Sequence, residues 1–480
     1  MLRMSLRILF TSSGLAAAGG LVGAGLRLLA VPPAVGDVDG VNFARALRSF
    51  EPLEQSPHLP GYPVYVAVTK PFAALGLPES LALALPSALL WPLAAWTLFV
   101  GLRRLLGEAP ALAASLVASL SPGAVLIGGW PASDGFGLAL LCLASGMLAH
   151  GVAGRERSLL LGGALLLGLL LGVRLSWAPL VAALGLAALV AARQERGRLA
   201  SAFGLGVLAW GAPLFALVGP GLIGHALAFG RGHLERWGGT AVSTSAPLFE
   251  RGLRALWDVW AAGLGAPWAG SLSLASALVL VVIVAALFGL VRARPPRALL
   301  AITVLALPYA GLAVVLQNVE KPRHLVVLLP LVGAWLGLGL TRLRRAEVGA
   351  GALAVVLVAV TLPRALEQGR ELSPALRLVA HVAQRPSPAR LQVFAGEEAR
   401  LFEHHLPMVR VWRPKGGDVL AREAALASAR GAEVLVSSGT PGIERLAGAL
   451  EPVATFSGSE VVYAHDPSLT LFRFAPREAP

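Results

Sequence analysis

The chain has 480 residues, of which 56% are hydrophobic, only 14% are charged and 55 are glycine, and its mean hydropathy is +0.71. Soluble domains carry about 25% charged residues, so most of this chain does not face water, and both disorder and a soluble enzyme with one core are excluded. The 40 Lys and Arg against 27 Asp and Glu leave +13, but the arginines gather in short breaks between apolar runs, as membrane insertion requires, so the excess implies no nucleic-acid partner.

The first 31 residues have a basic start, Arg3 and Arg7, followed by an apolar stretch. Signal peptides and first membrane helices share that pattern, and a retained helix is the preferred assignment. Apolar runs at 78–102, 109–127, 135–153, 158–173, 177–192, 199–218, 271–292, 297–316, 324–341 and 347–363 predict about eleven membrane helices in all. If the N-terminus is cytoplasmic, every inward break is basic: Arg103 and Arg104; Arg155 and Arg157; Arg193, Arg196 and Arg198; Arg292, Arg294 and Arg297; Arg342, Arg344 and Arg345. The outer face then holds 32–77, a short turn at 128–134, a break at Arg174, a loop at 219–270, a loop at 317–323 and the tail.

In the 219–270 loop, Leu253, Leu256, Trp257, Trp260 and Leu264 recur at helical spacing, with Arg251, Arg254 and Asp258 opposite. This predicts an amphipathic helix, lying either in the headgroup layer or on the protein's own surface. From 364 to 480 the apolar runs shorten. RLQVFAG (390–396), MVRVW (408–412), AEVLVSSG (432–439) and EVVYAH (460–465) have strand character, separated by the helical EEARLFEHHL and LAREAALASA. The expected fold is therefore a multi-pass α-helical membrane domain over 1–363 and a small α/β domain outside the membrane over 364–480.

The first outer loop, Gly36 to Lys70, carries the chemistry. Asp37 and Asp39 stand just beyond the first span, where a carboxylate is costly unless solvated, paired or used. On extended backbone the two would point the same way and share a proton or a divalent cation; alternatively Asp39 caps a helix starting at Gly40 with Val41, Ala44 and Leu47 as its apolar stripe. Asp134 in the short turn is a candidate site acid, or an ordinary turn residue. Lys70, Arg174, Lys321, Arg323 and His324 are candidates to meet an anion, with snorkelling to headgroups as the alternative for Lys70 and Arg174. His58 is either a site residue or a hydrogen-bonded loop histidine.

His404 and His405 are adjacent in a helical stretch, so they cannot chelate one ion unaided. No cofactor is certain; a divalent cation on Asp37 and Asp39 stays open. The single cysteine, Cys142, lies inside a span, and no Gly-x-Ser-x-Gly elbow is present.

The DGVNF (39–43) and SPHLPGYP (56–63) segments resemble the Asp-Glu-x-x-Tyr and His/Lys-Pro-Pro elements of membrane glycosyltransferases of the GT-C fold. That group includes the protein O-mannosyltransferases, the aminoarabinose transferases of lipid A and the bacterial transferases with RgtA/B/C/D-like domains. ASD (132–134), LLGVRLSWAPL (170–180) and KPRHLVVLLPLVGAWLGLGL (321–340) are similar to further family segments, in family order, over residues 1–345. Gly40 stands for the second acid, Phe43 for the tyrosine, Leu59 breaks the double proline, and His324 replaces a tyrosine.

The resemblance implies a glycosyltransferase in a bacterial inner membrane. It would take a sugar from a polyprenyl-phosphate carrier to an envelope acceptor (lipid, glycan or protein) on the outer face, by one inverting displacement, with Asp39 as the base and Asp37 as runner-up. A transporter or flippase of a lipid-linked or polar solute is the competing class; it would place ionisable groups near the midplane of broken helices in related halves, and neither is evident.

Overall fold

The computed structural model describes residues 11–268, 272–341, 346–386, 390–463 and 467–475, apart from the side chains of Trp237, Ala346 and Glu347. Arg3, Arg7, Arg342, Arg344 and Arg345 lie outside the described residues. The chain opens with α1 (Ser12–Leu29), a short α2 (Val38–Arg48), α3 (Pro63–Ala74) and the long α4 (Glu79–Leu106). α5 (Glu108–Leu120) and α6 (Pro122–Gly129) form a pair bent by 45°, followed by α7 (Ser133–Gly154), α8 (Arg157–Leu171), α9 (Ala178–Ala191) and α10 (Arg196–Val218). α11 (Leu222–Gly232) and α12 (Leu248–Trp257) lie in the long loop, and α13 (Leu274–Leu290), α14 (Arg297–Leu316), α15 (Leu329–Leu340) and α16 (Ala346–Arg370) complete the bundle.

Each of the eleven expected spans falls on an apolar helix, yet not all are long enough to cross a bilayer by themselves. Among the described residues seven pass on length and composition, or eight if the bent α5–α6 pair is one span. The remaining apolar helices, Arg157–Leu171, Leu175–Ala191 and Leu274–Leu290, are shorter than the roughly 20 residues that span a hydrocarbon core. α16 runs through Pro363 to Arg370 without ending at the expected boundary of 363.

The helices touch through small residues, as apolar solvent demands, because burial of greasy side chains gives no preference for protein over lipid. A methyl group on Gly101 would collide with the backbone of Gly146, bringing α4 and α7 into contact, and a methyl on Gly168 would collide with α10 near Phe203. Large apolar side chains such as Leu186, Leu208, Val281 and Phe288 remain on the outside of α9, α10 and α13.

Pro122 has no N–H, so the break between α5 and α6 strands the Ala118 carbonyl, and the change of direction strands that of Ser119. Arg27 of α1 answers both. It is fully buried, donates from Nη2 to Ala118 O at 3.0 Å and from Nη1 to Ser119 O and Gly23 O at 2.9 Å each, and lies over the Trp91 ring at 3.6 Å. Thr361 Oγ1 donates to the next carbonyl, Leu120 O, at 2.7 Å.

Beyond the membrane helices, α17 (Pro374–Ala383), α18 (Ala399–His405) and α19 (Gly417–Ala429) surround a five-stranded sheet of order β2-β1-β3-β5-β4. Its strands are β1 (Leu391–Phe394), β2 (Arg410–Trp412), β3 (Glu433–Ser437), β4 (Leu450–Ser457) and β5 (Ser468–Phe474). β1 is parallel to β2 and β3; β5 is antiparallel to β3 and β4. Strand alternation sends Phe394, Val434 and Val436 to α19, while Leu391, Val393 and Leu435 join the main core. The strand expected at 460–465 is not formed in its described part: Val462 and Tyr463 N–H bond back to Ser459 O at 3.1 and 2.8 Å, making a turn that buries Tyr463.

This C-terminal unit is tied to the first loop. His405 Nε2 meets Val35 O at 2.9 Å, His404 Nε2 meets Glu79 Oε2 at 2.9 Å, and Arg400 Nη2 donates to Gln55 Oε1 at 3.3 Å.

Candidate active site

Four breaks in the apolar sequence converge at one end of the bundle. α2 starts at Val38 because Asp37 caps it: Asp37 has extended backbone, its Oδ1 accepts from Gly40 N–H at 2.7 Å, and Trp130 Nε1 donates to its Oδ2 at 3.1 Å. The cap thus belongs to Asp37 rather than Asp39, and the two acids do not share an extended segment. Asp39, in the first turn of α2, has its carboxylate free to leave the helix. It accepts from Arg323 Nη2 at 2.6 Å and lies 3.7 Å from His58 Nδ1.

The ion pairs continue inward. Arg323 Nη1 is 4.0 Å from Asp134 Oδ2, and Arg174 Nη2 is 3.0 Å from Asp134 Oδ1. The side chains of Asp134 and Arg174 are only 2% and 7% exposed, so neither the turn-residue alternative for Asp134 nor the snorkelling alternative for Arg174 describes them. Asp134 sits in the first turn of α7, where the helix N-terminus also favours an anion. Asp39, Arg323, Asp134 and Arg174 therefore form one alternating chain of charge drawn from four separate breaks.

The two loop acids are driven apart. Burial alone pushes Asp39 upward, but Arg323, then His58 and Lys321, outweigh it and hold the carboxyl well below the usual carboxylate range. Asp37 moves the other way, raised first by burial and then by the charge of Asp39. His58 is lowered by burial and by Arg174, Arg323 and Lys321, against the pull of Asp39, which favours the neutral ring near pH 7. Its Nε2 is 3.0 Å from the Tyr62 hydroxyl, and its ring stacks on Phe229 of α11 with centroids 5.7 Å apart. Phe43 packs edge-on against Tyr62 and Tyr65.

His324 is buried, and its carbonyl accepts from the Tyr309 hydroxyl at 2.6 Å. Lys321 contributes to the field on Asp39 and His58 and makes no ion pair among the described residues. Lys70 lies about two turns along α3 from Tyr62 and likewise makes no ion pair among them, so it is not joined to the cluster. Sequence reasoning missed three contributors. Tyr62 lay inside a quoted motif and Trp130 just before another, but nothing local marks Phe229.

Among the described residues no three or more His, Cys, Asp or Glu side chains are grouped to hold a metal ion. Asp37 and Asp39 face N–H donors and Arg323 instead of each other. His404 and His405, with rings at 85°, go to different partners.

The expected apolar stripe divides: Trp257 and Leu264 are buried, while Leu253 and Leu256 of α12 point out at 49% and 67% exposure, and Arg251 and Asp258 of the opposite side are buried. Arg251 turns inward because the end of α14 offers it orphan carbonyls: Nε donates to Val314 O at 2.8 Å and Nη2 to Gln317 O at 2.6 Å.

No protein-family model and no curated protein matches the sequence. Solved structures do match in fold. ArnT from Cupriavidus metallidurans in the apo state is 15% identical, with a TM-score of 0.58, over 98% of this chain and 98% of that chain. The same protein bound to undecaprenyl phosphate is 16% identical, with a TM-score of 0.57, over 96% and 98%. An oligosaccharyltransferase from Archaeoglobus fulgidus is 14% identical, with a TM-score of 0.47, over 88% of this chain and 68% of that chain. The chain has the GT-C fold of ArnT along nearly its whole length.

Proposed function

We propose that the protein is an integral membrane glycosyltransferase that moves a sugar from a polyprenyl-phosphate carrier to an envelope acceptor, a lipid, glycan or protein hydroxyl or amine, on the outer face of a bacterial inner membrane. The N-terminus is cytoplasmic and the α/β unit that follows α16 lies on the outer side. The observation that carries this reading is the Asp39–Arg323–Asp134–Arg174 chain, with His58 beside it, at the loop end of a GT-C bundle. The ArnT of the same fold was solved with undecaprenyl phosphate bound, which supplies the carrier class.

The chemistry follows from the charges. The acceptor oxygen or nitrogen forms a bond to the anomeric carbon as the bond to the carrier phosphate breaks. The electron pair leaves with the phosphate, the proton goes to Asp39, and configuration inverts. A carboxylate held by a guanidinium is a weak base. Arrival of the donor changes that: the phosphate draws part of the Arg323 charge, Lys321 supplies a second cation, and Asp39 regains proton affinity only when there is a sugar to transfer. Asp134 keeps Arg323 aimed by holding it against Arg174, and the charge on the leaving phosphate is met by fixed cations in a poorly solvated place. Asp37 serves as cap, and His58 lines the sugar side.

Purified protein with radiolabelled polyprenyl-phosphate sugars and a panel of acceptors tests the proposal, with Asp39→Asn alongside. Transfer by the native protein and its loss in the variant are expected. Equal transfer by both removes Asp39 from the chemistry, and no transfer from any lipid-linked donor, together with solute uptake in vesicles, replaces the transferase by a transporter.

A further inference from the structure

α2, which carries Asp39, is held at both ends by one short helix of the C-terminal unit. The connector leading into α2 is not helical, and its Pro32 and Pro33 have no N–H to offer. Val35 and Gly36 at its end are buried, so their carbonyls need donors from elsewhere in the molecule. The C-terminal unit supplies both. His405 Nε2 meets Val35 O at 2.9 Å, and Ser373 Oγ, at the start of α17, donates to Gly36 O at 3.3 Å. A carbonyl can only accept, which puts the proton of the His405 ring on Nε2. A methyl group on Gly36 would meet Ser373 Oγ at 2.9 Å, so the approach is close.

The other end of α2 is held through Glu79, in the first turn of α4. Arg48, the last residue of α2, donates from Nη2 to Glu79 Oε1 at 2.6 Å, and His404 Nε2 is 2.9 Å from Glu79 Oε2. The His404 side chain is only 9% exposed, so its link is shielded from water, unlike an ordinary surface contact. α18 also packs directly on α2. Asp39 lies between the two grips, four residues after Val35 and nine before Arg48. Among the described residues neither histidine is bonded to Asp39, so each acts on it through α2.

We infer that His404 and His405 are positioning residues for transfer: by gripping α2 at its entrance and, through Glu79, at its end, they fix Asp39 against Arg323 and the acceptor. The inference rests on the transferase proposed above. Asp39 accepts from Arg323 at 2.6 Å, a contact set by where α2 sits. A base displaced by about 1 Å costs as much as about 10²-fold in rate, whereas the donor phosphate is met by cations on another segment. Loosening α2 therefore lowers kcat and leaves KM for the donor alone.

The test uses the full chain with His404→Ala, His405→Ala and the double variant, beside His404→Gln and His405→Gln, whose side-chain N–H can stand where the Nε2–H stood. Each alanine is expected to lower kcat about tenfold and the double variant about 10²-fold, with KM for the lipid-linked donor unchanged, and each glutamine to restore most of the rate. Unchanged kcat per folded molecule, KM rising together with the loss, or glutamine variants as slow as the alanines overturn the assignment. If the double variant does not fold, the single variants carry the same comparison. Amide hydrogen exchange over α2, which needs no transfer, is read on the same proteins. Exchange about tenfold faster in the alanine variants is expected, and exchange equal to that of the native protein overturns the grip on α2 while the transferase stands. Faster exchange in the variants of a protein whose native form transfers no lipid-linked sugar removes the transferase instead.

Discussion

Arg27 is fully buried and Arg323 half-buried in the bundle, and the two guanidinium groups differ in what answers them. Arg27 spends both Nη atoms on the backbone carbonyls of Gly23, Ala118 and Ser119 and its face on Trp91. No ionised partner is needed, and its role ends with closing the α5–α6 break. Arg323 and Arg174 are instead held by the carboxylates of Asp39 and Asp134, whose own charge remains available to chemistry. A buried cation thus marks a site only when a carboxylate shares it; answered by carbonyls it is part of the frame.

The largest effect expected on that distinction is in rate. Asp39→Asn should lower transfer by about 10²–10⁴-fold, the range for removing a general base, in a protein that still folds in detergent though with a lower thermal midpoint; a collapse of folding instead would move Asp39 to the frame. Arg27→Met should do the reverse, costing about 1–3 kcal/mol for each buried carbonyl left unsatisfied, as seen in thermal unfolding, and any folded fraction should keep its kcat. For Asp134 and Arg174, single replacements Asp134→Asn and Arg174→Met are each expected to destabilise by about 3 kcal/mol. The double variant should lose less than their sum, and additive losses in the cycle would show that the two act independently.

The smallest effect concerns pH. Asp258, buried beside Arg254 at 3.5 Å, has its carboxyl raised to about 8 by burial against the opposing pull of Arg254. The folded state keeps that proton when the unfolded chain loses it, so stability falls as pH rises from the ordinary carboxylate range to about 8. Asp258→Asn should raise the melting midpoint by a few degrees at pH 8 and leave it unchanged at pH 4; a difference equal at both would deny the buried acid. Asp39 has the opposite sign. Its lowered value lends stability above the carboxylate range and withdraws it as pH falls below.

How much of this was legible depends on the residue. Asp39, Asp134, Arg174 and Arg323 stand out in the sequence because each is charged beside a long apolar run, where lipid tolerates no unpaired charge. Their mutual pairing was not legible, since they come from four breaks separated by whole helices. The cap was misplaced by two residues because Asp37 and Asp39 are chemically equal as caps; only the contact of Asp37 with Trp130 and the reach of Arg323 to Asp39 separate them. Arg251 looked like the wet face of an interfacial helix, and the open carbonyls at the end of α14 turned it inward.

The sequence by itself determined the place of the long apolar helices and the α/β character of the tail, because hydropathy and strand alternation are local and act over one segment at a time. Tertiary structure alone decided which helices fall short of a full span, which acid caps and which is paired, and that Phe229 meets His58. Those outcomes depend on distances between segments far apart in the chain, which small-residue packing sets and no single segment encodes.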